Sequence, residues 1–316
     1  MAKLVISLDF ELFWGVSNSR TMRNYGSNIE GVWKAVPEML ELFSRFDVHV
    51  TWATVGMLMC RNYDHWSDMR PILEPYYRRS SCSTYRLDEL VKNNPKLFFA
   101  RPLVDNILSI GGHELATHTY SHFYCGEEGV TPQQFSADLN CANEIASEMG
   151  VAFRSIVFPR NQVKHEYLKM LPSAGIKVYR GNPDNWLYRD GHFAPGGSVG
   201  RVVRFLDAWL PLTGDHSSHV AIDGELINVP ASLFLRPWSR RFSLLESLRL
   251  HRLKNAMTVA AQTGRVCHLW WHPHNFGVNL ENNLAALKNL LEHYRHLKDL
   301  YGMKSVVMSD FESVGK

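Results

Sequence analysis

Short apolar runs of about four or five residues alternate with longer stretches of helical periodicity, and this alternation constrains the chain more than any other feature. Leu4–Leu8 precedes a helical pattern over Ile29–Phe46, which leads into a second run, Val48–Trp52. His113–Thr117, Ser155–Phe158, Ile176–Tyr179, Val266–Trp270 and Ser305–Met308 repeat the theme. Between them lie helical stretches at 132–149, 166–174, 243–263 and 280–301. Thr131, Pro132 and Gln134 form a capping box with proline at the first helical position, and Gly150 ends that helix. Ser243 and Glu246 predict a second capping box. Strands that alternate with helices pair in parallel, so the pattern predicts an α/β barrel of seven or eight strands. Residues 61–106 and 181–241 break the rhythm and read as long loop insertions on one domain spanning 1–316.

Composition excludes several classes. At 45% hydrophobic and 21% charged, the chain is neither disordered nor fibrous. A net charge of +3 is too small to imply nucleic-acid binding. Five scattered cysteines include no CxxC pair and favour a reducing compartment. The first apolar run is too short for a signal peptide and passes directly into Asp9-Phe10-Glu11. No stretch approaches the ~18 apolar residues of a membrane span. The expectation is a cytoplasmic protein.

Three polar clusters leave predicted strands, where an α/β barrel carries its active site. Asp9 and Glu11 stand at i and i+2, so strand alternation points both carboxylates into one space. Either a cation neutralises them or they are a solvated strand end. His118-Thr-Tyr-Ser-His122 follows the His113–Thr117 run. Imidazoles at i and i+4 fall on one face of a helical turn and can share a metal; the plainer alternative is a pair of loop histidines among 15. Leu269-Trp-Trp-His272-Pro-His274 leaves another strand, with His272 placed either as an acid or base or as a structural histidine packed on indole.

Together these motifs resemble the polysaccharide deacetylases, relatives of the nodulation-type chitooligosaccharide deacetylases. The resemblance spans residues 4 to 272 and implies a distorted (β/α) barrel with one divalent metal, most often zinc. It implies Asp9 as catalytic base and Glu11, His118 and His122 as metal ligands, the acids being split as acid-x-acid. Leu269-Trp-Trp-His272 matches the family's Leu-x-x-His motif and implies His272 as general acid. The family's base-orienting Arg-x-Pro is echoed by Phe158-Pro159-Arg160, implying Arg160. Its Asp-x-x-Asp-Trp segment, which supports the acid histidine, is echoed by Asp184-Asn185-Trp186, implying Asp184. Trp14, Trp186, Trp271 and His274, beside these motifs, are the candidate sugar contacts.

The resemblance implies deacetylation of an amino sugar. Without a secretion signal, a nucleotide- or lipid-pyrophosphate-linked sugar of lipopolysaccharide or O-antigen biosynthesis is the expected substrate. Arg236-Pro-Trp238-Ser-Arg240-Arg241, followed by Arg249, His251, Arg252 and Lys254, could hold phosphates or touch an anionic membrane surface. The plainer alternative is a solvated helix face plus a loop. A C–N hydrolase of a cyclic ureide or imide is the main alternative. A two-carboxylate glycosidase would leave the histidine pair without a role. A silent glycan-binding barrel gains nothing from clustered, mutually repelling groups.

Overall fold

In the computed structural model, which describes residues 1–189 and 197–315, the alternation becomes one curled sheet. Its strands are β1 (Lys3–Phe10), β2 (Thr51–Thr54), β3 (Glu114–Thr117), β4 (Ser155–Ile156) and β5 (Val178–Tyr179). They continue as β6 (Ala221–Asp223), β7 (Leu226–Asn228), β8 (Leu233–Phe234), β9 (Val266–Trp271) and β10 (Lys304–Val306). Every pairing between these strands is parallel except β6 with β7. β1 is the central stave. Lys3–Leu8 pairs with β9, Ser7–Phe10 pairs with β2, and β10 fits beside Lys3–Val5 below β2.

One extended segment, 226–235, joins the two flanks of the curl. The Val229 and Ala231 amides donate to the carbonyls of Tyr179 and Gly181, whereas the Ser232 and Leu235 amides donate to those of His268 and Trp270. The segment therefore leaves β5 and arrives at β9, which gives the distorted (β/α) barrel its last stave.

Strand parity sorts the side chains. Small inward residues, Val5, Ala53, Ala116, Val157 and Val178, share a narrow interior core with Met308 and Phe311. Bulky outward ones, among them Leu4, Leu8, Phe10 and Trp52, belong to the larger core under the helices. The helix Val32–Phe46 buries Val36, Met39, Leu40 and Phe43 there, at the spacing of one helical stripe. Thr131 accepts from the Gln134 amide as the capping box requires, and Leu280–Tyr301 ends at the left-handed Gly302.

Three expectations change. The 29–46 pattern is two helices, Met22–Glu30 and Val32–Phe46, meeting at Gly31. There the Gly277 backbone approaches so closely that a Cβ on Gly31 would fall 1.9 Å from the Gly277 carbonyl oxygen. Ser243 caps nothing: Arg240–Leu245 is a 3-10 segment running into the helix Glu246–Thr263. Nor are the insertions mere loops. Residues 61–106 include the helices Tyr63–Asp68 and Asp88–Asn93, with Trp66 and Val91 fully buried. Residues 181–241 supply the helix Gly197–Leu206 and β6–β8. Strands of two or three residues are too short to show a period, which is why the pattern hid them.

Candidate active site

β1 delivers both carboxylates. Its inward parity runs Val5, Ser7, Asp9, and Glu11 follows one residue past the strand, so the two acids share one space. Leu12 then turns the chain with a left-handed φ of 47°. A Cβ on Gly15 would lie 2.0 Å from the Glu11 carboxyl carbon, so this turn closes around Glu11 only because residue 15 is glycine.

The two histidines come from a strained turn after β3, not from the helical turn that their spacing suggested. Thr119 and His122 both have left-handed φ, 63° and 58°, which costs energy for residues with a side chain. Asp138, buried on the helix Pro132–Ser147, holds the turn by accepting from the amides of Tyr120 at 2.7 Å and Ser121 at 3.1 Å. The result places His118 Nε2 3.5 Å and His122 Nε2 3.0 Å from Glu11 Oε2. One donor atom from each of Glu11, His118 and His122 lies within 4.8 Å of the others.

The chemistry of this set suits a divalent cation. His118 Nδ1 lies 2.7 Å from the Val157 carbonyl. A carbonyl only accepts, so Nδ1 donates to it and Nε2 is the nitrogen turned toward the cluster. Burial pushes His122 down to about 4, so it is neutral near pH 7. Burial works against the Glu11 carboxylate, but His272, His118 and His122 together hold it well below the usual carboxylate range. Two imidazoles beside one carboxylate form an ordinary donor set for zinc and similar ions.

Asp9 is clamped by Arg180, not Arg160. Arg180 Nη1 and Nη2 donate to the two Asp9 oxygens at 2.7 and 2.8 Å, with the guanidinium 4.5 Å from the Trp270 ring centre. Burial acts to raise the Asp9 pKa, yet Arg180, aided by His118 and His272, brings it below its ordinary value. Beneath the clamp runs a chain of hydrogen bonds across the barrel interior. Arg180 Nη1 also donates to Ser7 Oγ at 2.9 Å, and Ser7 Oγ lies 2.8 Å from His268 Nε2. His268 Nδ1 faces the Val229 carbonyl at 3.2 Å. Burial holds His268 down at about 3, so Nδ1 donates and Nε2 accepts from the serine.

The remaining expected residues divide. His272 Nε2 lies 3.9 Å from Asp9 and 3.8 Å from Glu11, and its ring stacks on His274 at 4.9 Å. His274 is buried, with Nδ1 3.9 Å from Glu11 Oε1. Arg160 lines the same cavity but donates to Glu127 at 3.1 Å and lies over the Tyr124 ring. A left-handed φ of 56° at Arg160 accompanies this placement, and its neighbour Asn161 instead accepts from Arg180. Asp184 is 85% exposed and pairs with Arg189, so it does not support His272. Trp14 is core, its indole donating to the Phe98 carbonyl, and Trp271 is core, stacked on Phe276. Trp186 is 64% exposed and lies outside the cavity lining. Trp270 takes the place expected of Trp271.

A cavity of about 540 Å³ opens over these groups. Its far wall comes from the 181–252 region and carries Arg201, Arg204, Arg236, Arg249 and Arg252. Arg252 is buried against Asp207 at 2.9 Å, and Arg249 is buried against Glu246. These two do not belong to a solvated helix face.

Residues 30–179 match the family model for polysaccharide deacetylase, a stretch that includes His118 and His122. No curated protein gives a significant sequence match. Among solved structures, a chain from Mycobacterium smegmatis named as a candidate polysaccharide deacetylase superposes with a TM-score of 0.61 at 16% identity, covering 99% of this chain and 90% of its own. Puue allantoinase gives 0.57 at 14%, covering 98% and 89%. A GH57-type branching enzyme from Pyrococcus horikoshii gives 0.58 at 11%, covering 100% and 70%. At such identities these likenesses speak for the fold alone.

Proposed function

The chain belongs to the polysaccharide deacetylase family over residues 30–179, and from that premise we propose that it is a metal-dependent N-deacetylase of an amino sugar. One observation carries the reading: Glu11, His118 and His122 converge beside an Asp9 clamped by Arg180, on the floor of one cavity. The first three would hold a single divalent ion, with zinc the first candidate. Such an ion acidifies water and polarises the acyl carbonyl. Asp9, ionised and aimed by two Arg180 donors, takes the proton of the attacking water. His272, within 4 Å of both acids, gives a proton to the departing sugar nitrogen. Arg180, Ser7 and His268 hold the base in place without touching substrate.

The substrate would be a nucleotide- or lipid-linked amino sugar, carrying an acetyl or other small acyl group, in cytoplasmic assembly of a surface glycan of the lipopolysaccharide or O-antigen type. The arginine wall supports an anionic carrier. A cavity of about 540 Å³ exceeds what a small cyclic ureide needs, which favours the sugar over the ureide reading. Mass spectrometry of nucleotide- and lipid-linked N-acetyl sugars, incubated with metal-loaded protein, should show loss of the acyl group as free acid. Intact sugars alongside a cleaved ureide would reverse the assignment.

A further inference from the structure

Seventeen large apolar side chains are exposed among the described residues, and eight of them fall within two short segments, 202–212 and 244–248. Three rings join those segments: Phe205 and Trp209 each pack on Phe242, at 5.3 and 5.4 Å, and on one another at 4.6 Å. Leu244 is 94% exposed, and Leu245 and Leu248 flank it in the open. A cluster of this kind on a soluble surface marks a contact face.

Residues beside these two segments build the cavity's arginine wall. On the helix Gly197–Leu206, Arg201 and Arg204 line the cavity while Val202 and Leu206 are exposed. Across from it, Arg236, Arg249 and Arg252 line the cavity, while Leu244, Leu248, Arg240 and Arg241 are exposed. Of the wall arginines, Arg249 is paired with Glu246 and Arg252 with Asp207. Arg236 has no carboxylate partner among the described residues; it donates to the Arg204 carbonyl and lies over the Phe205 ring. Apolar side chains, exposed arginines and a basic cavity mouth thus form one continuous face.

We propose that this face docks on an anionic bilayer and that the wall receives the phosphate of a membrane-anchored, lipid-linked amino sugar. The leucines enter the boundary between headgroups and acyl chains, while Arg240 and Arg241 meet lipid phosphates. The identity of the sugar rests on the deacetylase reading above; the docking does not.

The test is cosedimentation of the full chain with phosphatidylcholine vesicles, with and without about a third phosphatidylglycerol, an anionic lipid. The wild type should pellet with the anionic vesicles and be released by salt. Arg240→Glu/Arg241→Glu should weaken binding by about tenfold or more, at roughly 1 kcal/mol per basic residue near the surface. Leu244→Ser/Leu248→Ser should abolish it, with melting temperature, metal content and acetate release from a soluble N-acetyl sugar unchanged. Absence of pelleting, or equal pelleting of all three proteins, would overturn the proposal. So would tight binding of uridine diphosphate without vesicle binding, or a dimer that only the leucine variant dissociates. Vesicle binding without acetate release from any N-acetyl sugar would instead overturn the deacetylase reading and leave the docking standing.

Discussion

The floor of the cavity and its far wall are built by different means. The floor comes from the ends of β1, β3, β5 and β9, where each side chain's direction follows from strand parity and is locked by buried hydrogen bonds. The wall comes from a short helix, the stretch just after β8 and the start of a long helix, and two of its arginines pair with carboxylates at the cavity's edge. A rigid floor suits bond-making, which needs atoms held within tenths of an ångström. A wall of long cationic side chains suits retention of an anion. Damage to the floor should therefore appear in turnover, and damage to the wall in substrate affinity.

The largest effects belong to the ligand set. His118→Ala or His122→Ala should remove the bound metal, as elemental analysis would show, and abolish deacetylation. Undiminished metal in both variants would end the assignment. Next comes the base. Asp9→Asn should keep the metal and lose on the order of 10²–10⁴-fold in turnover. Arg180→Lys should cost roughly a hundredfold, because an ammonium cannot reproduce the paired contact. Arg160→Lys, whose partner is Glu127, should stay within about threefold, in the range of a partly exposed ion pair. A reversed ranking of the two arginine variants would return the orienting role to Arg160.

Most of the floor was legible in the sequence because polar residues interrupt apolar strands at their ends. Asp9, Glu11, His118, His122 and His272 stand out for that reason, and the structure brings all five together. Arg180 was missed although the run Ile176–Tyr179 reads as a strand, because only the inward placement of Val178 sets the parity that carries residue 180 inside. The same rule separates Trp270 from Trp271 once His272 is placed inward, and it points His268 into the barrel. Adjacency to a motif, which singled out Trp14, and a partial motif echo, which singled out Asp184 and Trp186, carry no directional information. The wall was unreadable for another reason. Its arginines are gathered by tertiary packing of segments without regular period, and only Arg236, Arg249 and Arg252 lay within a stretch that looked basic.

A smaller effect tests whether the floor's rigidity extends down the barrel. His268 has its pKa held near 3 by burial, against an ordinary value of 6.5. Between those values the unfolded chain binds a proton that the folded chain refuses. This contribution to stability is complete above pH 6.5 and is lost as pH falls toward 3, with a slope of at most about 1.4 kcal/mol per unit. Denaturant titrations at pH 7 and pH 5 should show a larger loss in the wild type than in His268→Gln. Equal losses would mean that the Ser7–His268 link does not constrain the fold.

A modest effect should come from the wall, and its kinetic form matters more than its size. Arg236 sits over the Phe205 ring with no carboxylate partner among the described residues. Its removal leaves no buried anion unpaired, so the fold should tolerate Arg236→Ala. If it contacts the carrier phosphate, that contact is present in the bound substrate and in the transition state alike. Uniform binding of this kind changes KM and leaves kcat alone. One charge-assisted contact, partly open to water, should be worth about 1.4 kcal/mol or tenfold in KM. Arg180→Lys predicts the opposite split, with kcat reduced and KM little changed. A fall in kcat for Arg236→Ala would show that the wall takes part in aligning the acyl group, and the division between floor and wall would have to be redrawn around that arginine.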